Sequence, residues 1–222
     1  MYIQNSQTHM KLHYFTFNPF QENTFILFDE SKECIIVDPG CYSLEEQNQL
    51  EDFIDKNELE PKKLVCTHFH LDHIFGNHFV SKKWGLPVEG HRLDLPTLQL
   101  GEKSAQMYGF GDYTPSPEIK VFIDEGDQIK FGNTALEILF VPGHAPGHIA
   151  LVHHESKTVI NGDVLFQGSI GRTDLPGGDY QTLENSIRNK MYKLPDDYSV
   201  YAGHGPSTTI GHEKRNNAFI KA

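Results

Sequence analysis

Three imidazoles and a carboxylate fall within six residues of one another in Thr67-His68-Phe69-His70-Leu71-Asp72-His73. Imidazole nitrogen and carboxylate oxygen are the usual donors to a borderline divalent cation such as zinc. A purification tag would be an unbroken run. Here the donors alternate as H-x-H-x-D-H, directly after the apolar stretch Leu64-Val65-Cys66. The segment therefore reads as a strand that stops and presents metal donors in a loop. The same event recurs three times. An apolar stretch ends at Val141 and His144 follows in Pro-Gly-His. Another ends at Ile160 and Asp163 follows in Asn-Gly-Asp. A third ends at Ala202 and His204 follows in Gly-His-Gly. Singly, each of these is an ordinary loop residue. Jointly they predict one site, because loops at one edge of a sheet converge in space and carry chemistry there.

These strand ends require a scaffold. Lys11–Phe17 and Thr24–Phe28 alternate as strands, with Asp29–Lys32 as the turn into a buried strand at Cys34–Val37 that closes on Asp38-Pro39-Gly40. Ser43 followed by Glu46 is a capping-box pattern, and Leu50, Phe53 and Ile54 give the helix behind it an apolar stripe. A further helix is expected over Ile74–Trp84, starting at the donor loop, with His78 on its surface or beside the site. Residues 91–117 show weak periodicity and read as an irregular insertion, either a packing loop or a cover over the site from which Lys103, Met107, Tyr108 and Phe110 could face a substrate. Ile119–Ile123 and Gln128–Phe131 alternate like antiparallel strands around Asp124-Glu125-Gly126-Asp127. Strands follow at 134–141, 149–153, 158–160 and 199–202. Asp179 caps a helix with the stripe Leu183, Ile187, Met191 and Leu194, and a short polar helix closes the chain near 211–217.

Bulk properties narrow the function. The chain has 222 residues and a net charge of −11, from 30 acidic and 19 basic side chains. Nucleic acids and anionic membranes both call for clustered positive charge, so neither is an expected partner. The cysteines, Cys34, Cys41 and Cys66, are odd in number and lack a C-x-x-C pair, which suits a reducing compartment. No apolar run is long enough to span a bilayer and no signal pattern opens the chain. A cytoplasmic location is expected. One domain is expected over residues 10–222, with 1–9 as an extension.

Thr67–His73 resembles the T-H-x-H-x-D-H signature of the metallo-β-lactamase-fold superfamily. Asp38 before Pro39-Gly40, His144 in P-G-H, Asp163 in G-D and His204 in G-H-G match its other motifs in order. Within it, Leu165–Asp179 and the tail from Gly203 to Asn217 are similar to glyoxalase-II-like hydrolases, in the short bacterial form without the C-terminal helical domain. The resemblance implies an α/β fold, an αββα sandwich of two mixed β-sheets flanked by helices. It implies two divalent metal ions, zinc first, with iron or manganese as alternatives. His68, His70 and His144 would hold one, Asp72, His73 and His204 the other, with Asp163 shared and Asp38 bracing the donor loop by hydrogen bonds. The implied activity is hydrolysis of a small-molecule thioester by a metal-activated hydroxide, with Asp72 orienting the nucleophile or taking its proton. A thiolate leaves readily because thiols ionise near pH 8.5. Arg172 would face a substrate carboxylate, and Tyr108 the substrate. The rival of the same fold is a persulfide dioxygenase holding one iron on His68, His144 and Asp163. Such enzymes carry Ala-His-Asp-Tyr at the last histidine, where this chain has Gly203-His204-Gly205-Pro206.

Overall fold

The computed structural model of the chain describes residues 10–222. Met1 to His9, read above as an extension, lie outside the described residues. Strands β1 (Lys11–Phe17), β2 (Glu22–Phe28) and β3 (Glu33–Val37) form an antiparallel meander. Helix α1 (Leu44–Lys56) then crosses to β4 (Glu60–Val65). Helices α2 (Leu71–Ile74) and α3 (Asn77–Trp84) lead to β5 (Val88–Gly90). Helices α4 (Leu95–Gln99) and α5 (Gly101–Tyr108) lead to β6 (Ile119–Phe122). These six strands make one sheet in chain order, parallel from β3 onward. The second half supplies β7 (Gln128–Phe131), β8 (Thr134–Phe140), β9 (Ile149–His153) and β10 (Thr158–Ile160). A two-stranded ribbon, β11 (Leu165–Phe166) with β12 (Ser169–Ile170), comes next. Helix α6 (Tyr180–Asn189), β13 (Ser199–Tyr201), β14 (Thr208–Thr209) and helix α7 (Ile210–Asn216) complete the chain. The second six-stranded sheet has the order β14-β13-β10-β9-β8-β7, with β10 and β13 parallel.

The layering follows from the period of two along each strand. In β3, Ile35 and Val37 face the second sheet, while Cys34 and Ile36 face the helices; all four are fully buried. In β9, Ile149 and Leu151 meet them from the other side, and Ala150 and Val152 turn outward. A strand covered on both faces must be apolar throughout, which is why these segments read as unbroken hydrophobic runs. Leu50 and Ile54 of α1 and Val80 of α3 cover the first sheet, and Leu183, Ile187 and Ile210 from α6 and α7 cover the second. The result is helix, sheet, sheet, helix.

The capping box at α1 is complete. The Ser43 hydroxyl accepts from the Glu46 N–H, and the Glu46 carboxylate accepts from the Ser43 N–H at 2.9 Å. The other Glu46 oxygen accepts from the Asn18 N–H at 2.6 Å, tying the helix start to the β1–β2 turn. We expect Ser43→Ala to cost about 1 kcal/mol, read as a lowered denaturant midpoint. An unchanged midpoint would show that Glu46 alone holds this end.

Three expectations are corrected. The segments 119–123 and 128–131 are not a hairpin: β6 ends the first sheet beside β5, and β7 opens the second beside β8. The Asp124–Asp127 turn is instead the step between sheets. The helix expected over 74–84 begins earlier, at Leu71, and is broken at Phe75-Gly76. A side chain at Gly76 would collide with the Cys41 sulfur and meet the Pro39 carbonyl at 2.8 Å, so the glycine lets α2 lie against the Asp38-Pro39-Gly40 turn. The 91–117 insertion is largely helical rather than irregular, but α4 and α5 are too short to show a stripe.

Candidate metal centre

Four strand ends deliver the predicted donors to one place. The loop after β4 carries His68 and His70, and α2, which follows it directly, carries Asp72 and His73; the loops after β8, β10 and β13 carry His144, Asp163 and His204. Two groups form, His68/His70/His144 and Asp72/His73/His204, each with donor atoms within 4.8 Å of one another. Asp38 with His68 and His73 satisfies the same distance criterion. The Asp163 carboxylate lies between the two principal groups. Its Oδ1 is 3.5 Å from His73 Nε2, and its Oδ2 is 3.6 Å from His144 Nε2 and 3.5 Å from His204 Nε2.

The fit to a cation can be tested on these atoms. His68 Nε2, His73 Nε2 and Asp163 Oδ1 are buried and have no hydrogen-bond partner. Buried polar atoms are nearly always paired, and each left alone costs about 1–3 kcal/mol. Three such atoms around one space make a donor set that fits a cation. The hydrogen bonds behind the rings point the same way. The Nδ1–H of His144 donates to the Arg172 carbonyl at 2.7 Å, that of His204 to the Phe20 carbonyl at 3.1 Å, and that of His73 to Asp38 Oδ2 at 3.2 Å. The Thr67 hydroxyl donates to Asp38 Oδ2 at 2.6 Å, so it accepts from His68 Nδ1–H at 3.2 Å. Four rings are thus held from behind through Nδ1 and turn Nε2 toward the centre, the orientation a metal-binding histidine needs. His70 turns Nδ1 inward instead and donates it to His144 Nε2 at 2.8 Å, a proton that a bound cation would displace. The donor set is imidazole and carboxylate, without sulfur.

Burial drives His68 well below the usual imidazole range, with neighbouring His73 adding to it, and it pushes His70 down to about 3. Both rings are therefore neutral and free to donate a lone pair. Burial opposes ionisation of Asp163 and Asp72. His73, with His144 and His204 for Asp163 and with His204 for Asp72, outweighs it and holds both carboxyls below their ordinary range. His73 is raised against its own burial by Asp72 and Asp163. That excess of carboxylate is the charge a divalent cation would neutralise.

Asp38 is hydrogen-bonded to the donor loop and to His73. Its Oδ1 accepts from the Thr67 N–H at 2.6 Å and its Oδ2 from Thr67 and His73. Four supporting residues escaped sequence reasoning. Asn23 donates to the carbonyls of Ala202 and Gly205 and so fastens the His204 loop to β2. His148 stacks on His68 with centroids 4.6 Å apart, and its Nε2 accepts from the Asp163 N–H at 3.1 Å. Its one visible signal was its place in the same Pro142–His148 run as His144. Glu22 is fully buried beside His73 at 3.9 Å, and burial raises its carboxyl well above the ordinary range. Asp94 is fully buried and hydrogen-bonded to two donor loops.

The centre forms the floor of a cavity of about 580 Å³, walled by α5, Phe20 and the β11–β12 ribbon. Lys103, Met107 and Tyr108 line it, and Tyr108 stands edge-on to Phe20. Phe110 does not face it: its ring packs with Tyr42 and Phe75. Arg172 lines the cavity, but its guanidinium is paired in a fork with Asp174 at 2.7 Å on both arms. The fork takes the Nε–Nη2 edge of the guanidinium and not its Nη1 side. His78 lines a different cavity, with Lys82 and Tyr42.

Two mixed sheets between helices, with a His/Asp centre at their strand ends, define a metallo-β-lactamase-type protein. The chain belongs to the metallo-beta-lactamase superfamily, whose family model matches residues 17–204. It is 40% identical to the hydroxyacylglutathione hydrolase GloC of Haemophilus influenzae over 204 residues, which cover 91% of this chain and 94% of that one. Among solved structures it is similar to the B3 metallo-beta-lactamase BLEG-1, with a TM-score of 0.87 and 32% identity over 96% of this chain and 100% of that one. It is also similar to TTHA1623 in a di-iron-bound form, with a TM-score of 0.84 and 34% identity over 94% of this chain and 100% of the other.

Proposed function

We propose that the protein is a metal-dependent thioester hydrolase of the hydroxyacylglutathione hydrolase type, with two divalent ions, zinc first among the candidates. What carries the reading is the pairing of two donor groups around one shared carboxylate, with three buried donor atoms left unpartnered. The name of the 40% identical relative supports the substrate class. Iron and manganese fit the same donors.

Bound cations would supply Lewis acidity there, polarising an acyl oxygen and lowering the pKa of water from 15.7 toward about 7. The chain's own residues do the rest. Asp72, whose Oδ2 is 3.1 Å from His204 Nε2, lines the cavity and orients the attacking water or takes its proton. Asp72 and Asp163 are both held ionised, so neither carries a proton for the leaving group before the attacking water is deprotonated. That favours a group that departs as an anion, and a thiol does so near pH 8.5. Tyr108, Met107 and Phe20 give the acyl or thiol portion an apolar wall, and Lys103 puts positive charge at its side, with Arg172 beside it in its pair with Asp174. The net charge of −11 supports a small-molecule substrate over nucleic acid or an anionic lipid surface, and a cytoplasmic setting accords with the unpaired cysteines. Among the described residues no helix is long and apolar enough to cross a membrane.

The test is a substrate panel on protein of measured metal content: S-D-lactoylglutathione, other acyl thioesters, a chromogenic cephalosporin, and glutathione persulfide with oxygen uptake recorded. We expect thioester turnover to lead, to fall to background on chelation and to return with zinc. A faster cephalosporin reaction, or oxygen uptake with one iron per chain, would replace this reading.

A further inference from the structure

Asp94 lies in the connection between β5 and α4, in a stretch with no metal-site motif. Its side chain is fully buried, and three segments of the molecule meet on its carboxylate. Oδ2 accepts from the Phe69 N–H at 2.7 Å; Oδ1 accepts from the Gly147 N–H at 2.9 Å and from the Thr97 hydroxyl at 3.1 Å. Phe69 is the residue between His68 and His70. Gly147 is in the loop that carries His144. Thr97 is on α4 and lines the cavity. The seat is close: a Cβ on Gly147 would stand 2.5 Å from the Asp94 nitrogen and 2.6 Å from its Cβ.

We propose that Asp94 is a positioning residue, which locks the two loops bearing His68, His70 and His144 to each other and to the α4 wall of the cavity. The proposal rests on the metal-centre reading above. All three members of that donor group sit on the two loops Asp94 joins. The other group is held elsewhere: His73 by Asp38, the Asp72 carbonyl by Asn18 at 3.0 Å, and the His204 loop by Asn23. Asp94 should therefore govern one half of the centre and spare the other. The carboxylate is required in kind, because both oxygens accept. An amide of the same shape turns one acceptor into a donor and sets it against a backbone N–H.

The experiment titrates metal-free protein with zinc in competition with a chromogenic chelator and records kcat and KM for a thioester. For Asp94→Asn we expect one of two binding steps to weaken by about 10–100-fold, the range for removing a residue that supports a metal ligand, and kcat to fall with it. The second step should hold. Thr97→Val cuts only the link to α4, so KM should rise with both binding steps intact. Asp94→Ser leaves room for a water to meet the two N–H groups and stands in if Asp94→Asn does not fold, judged by the same outcomes. Two unchanged steps in the variant, or two equally weakened ones, overturn the proposal while leaving the metal centre in place. A parent that binds no zinc overturns the metal-centre reading, and this proposal with it.

Discussion

Asp163→Asn is expected to abolish thioester hydrolysis, with kcat/KM falling by about 10³-fold or more, equivalent to about 4 kcal/mol at 1.36 kcal/mol per decade. The size follows from the position of this one carboxylate. It stands 3.5–3.6 Å from Nε2 atoms of both principal donor groups, so its loss weakens both halves of the centre together. Its Oδ1 has no hydrogen-bond partner at normal length, but His73 stands 3.5 Å away and favours the charge. The amide keeps the shape and gives up that attraction, so the metal-free variant should still fold and melt below the parent temperature. The rise in melting temperature on saturation with zinc should shrink, because a ligand stabilises only in proportion to its preference for the folded state. Activity and metal-dependent melting fall while the metal-free fold holds. A metal-replete Asp163→Asn protein within tenfold of parental turnover would refute a shared carboxylate at the centre.

The donors were legible because the sequence signals were local. H-x-H-x-D-H is compact, and each remaining donor stands two or three residues past an apolar strand, beside Gly or Pro. The layered fold was legible for a related reason: Ile35, Ile36 and Val37 are buried on both faces and read as one run. What stayed hidden depends on contacts distant in sequence. Asp94 bonds to backbone N–H groups 25 and 53 residues away, and any residue type has such a group, so no pattern marks the partner. Glu22 and Asn23 lie at the start of a strand, where an acid and an amide look like solvated ends. They are buried because the His204 loop folds back onto β2. The misread hairpin had a sound local basis, since alternating segments around a Gly-containing turn usually pair. Here β6 carries three exposed residues at the edge of its sheet, while Ile129 and Phe131 of β7 enter the intersheet core. Sheet membership was decided by that core, not by the turn. Arg172 shows the opposite limit. Resemblance placed it at the cavity, but only coordinates reveal that Asp174 occupies its guanidinium and that its carbonyl orients His144.

Asp38→Asn is expected to lower metal affinity by about 10–100-fold and folding stability by about 1–3 kcal/mol. Asp38 does two separable things. Its backbone lies at φ 49°, in the left-handed region, which turns the chain from β3 into Pro39-Gly40. Asn tolerates that conformation nearly as well as Asp, whereas Ala does not. Its carboxylate also sets proton positions. Oδ2 receives the Thr67 hydroxyl and His73 Nδ1–H, and the occupied hydroxyl in turn receives His68 Nδ1–H. One carboxylate thus fixes the tautomers of two donors, one from each principal group. An amide nitrogen in the Oδ2 position would face His73 Nδ1–H donor to donor. Relief requires moving that proton to Nε2, where it blocks the metal lone pair. The opposite amide flip puts the nitrogen against the Thr67 N–H instead, at a contact now 2.6 Å long. Either way a buried donor is stranded. Asp38→Ala adds backbone strain to the same loss, so it should be the less stable of the two in denaturant while matching Asp38→Asn in zinc affinity. Equal stability of the two variants would show that the left-handed turn costs nothing. Parental zinc affinity in Asp38→Asn would show that His68 and His73 hold their tautomers without it.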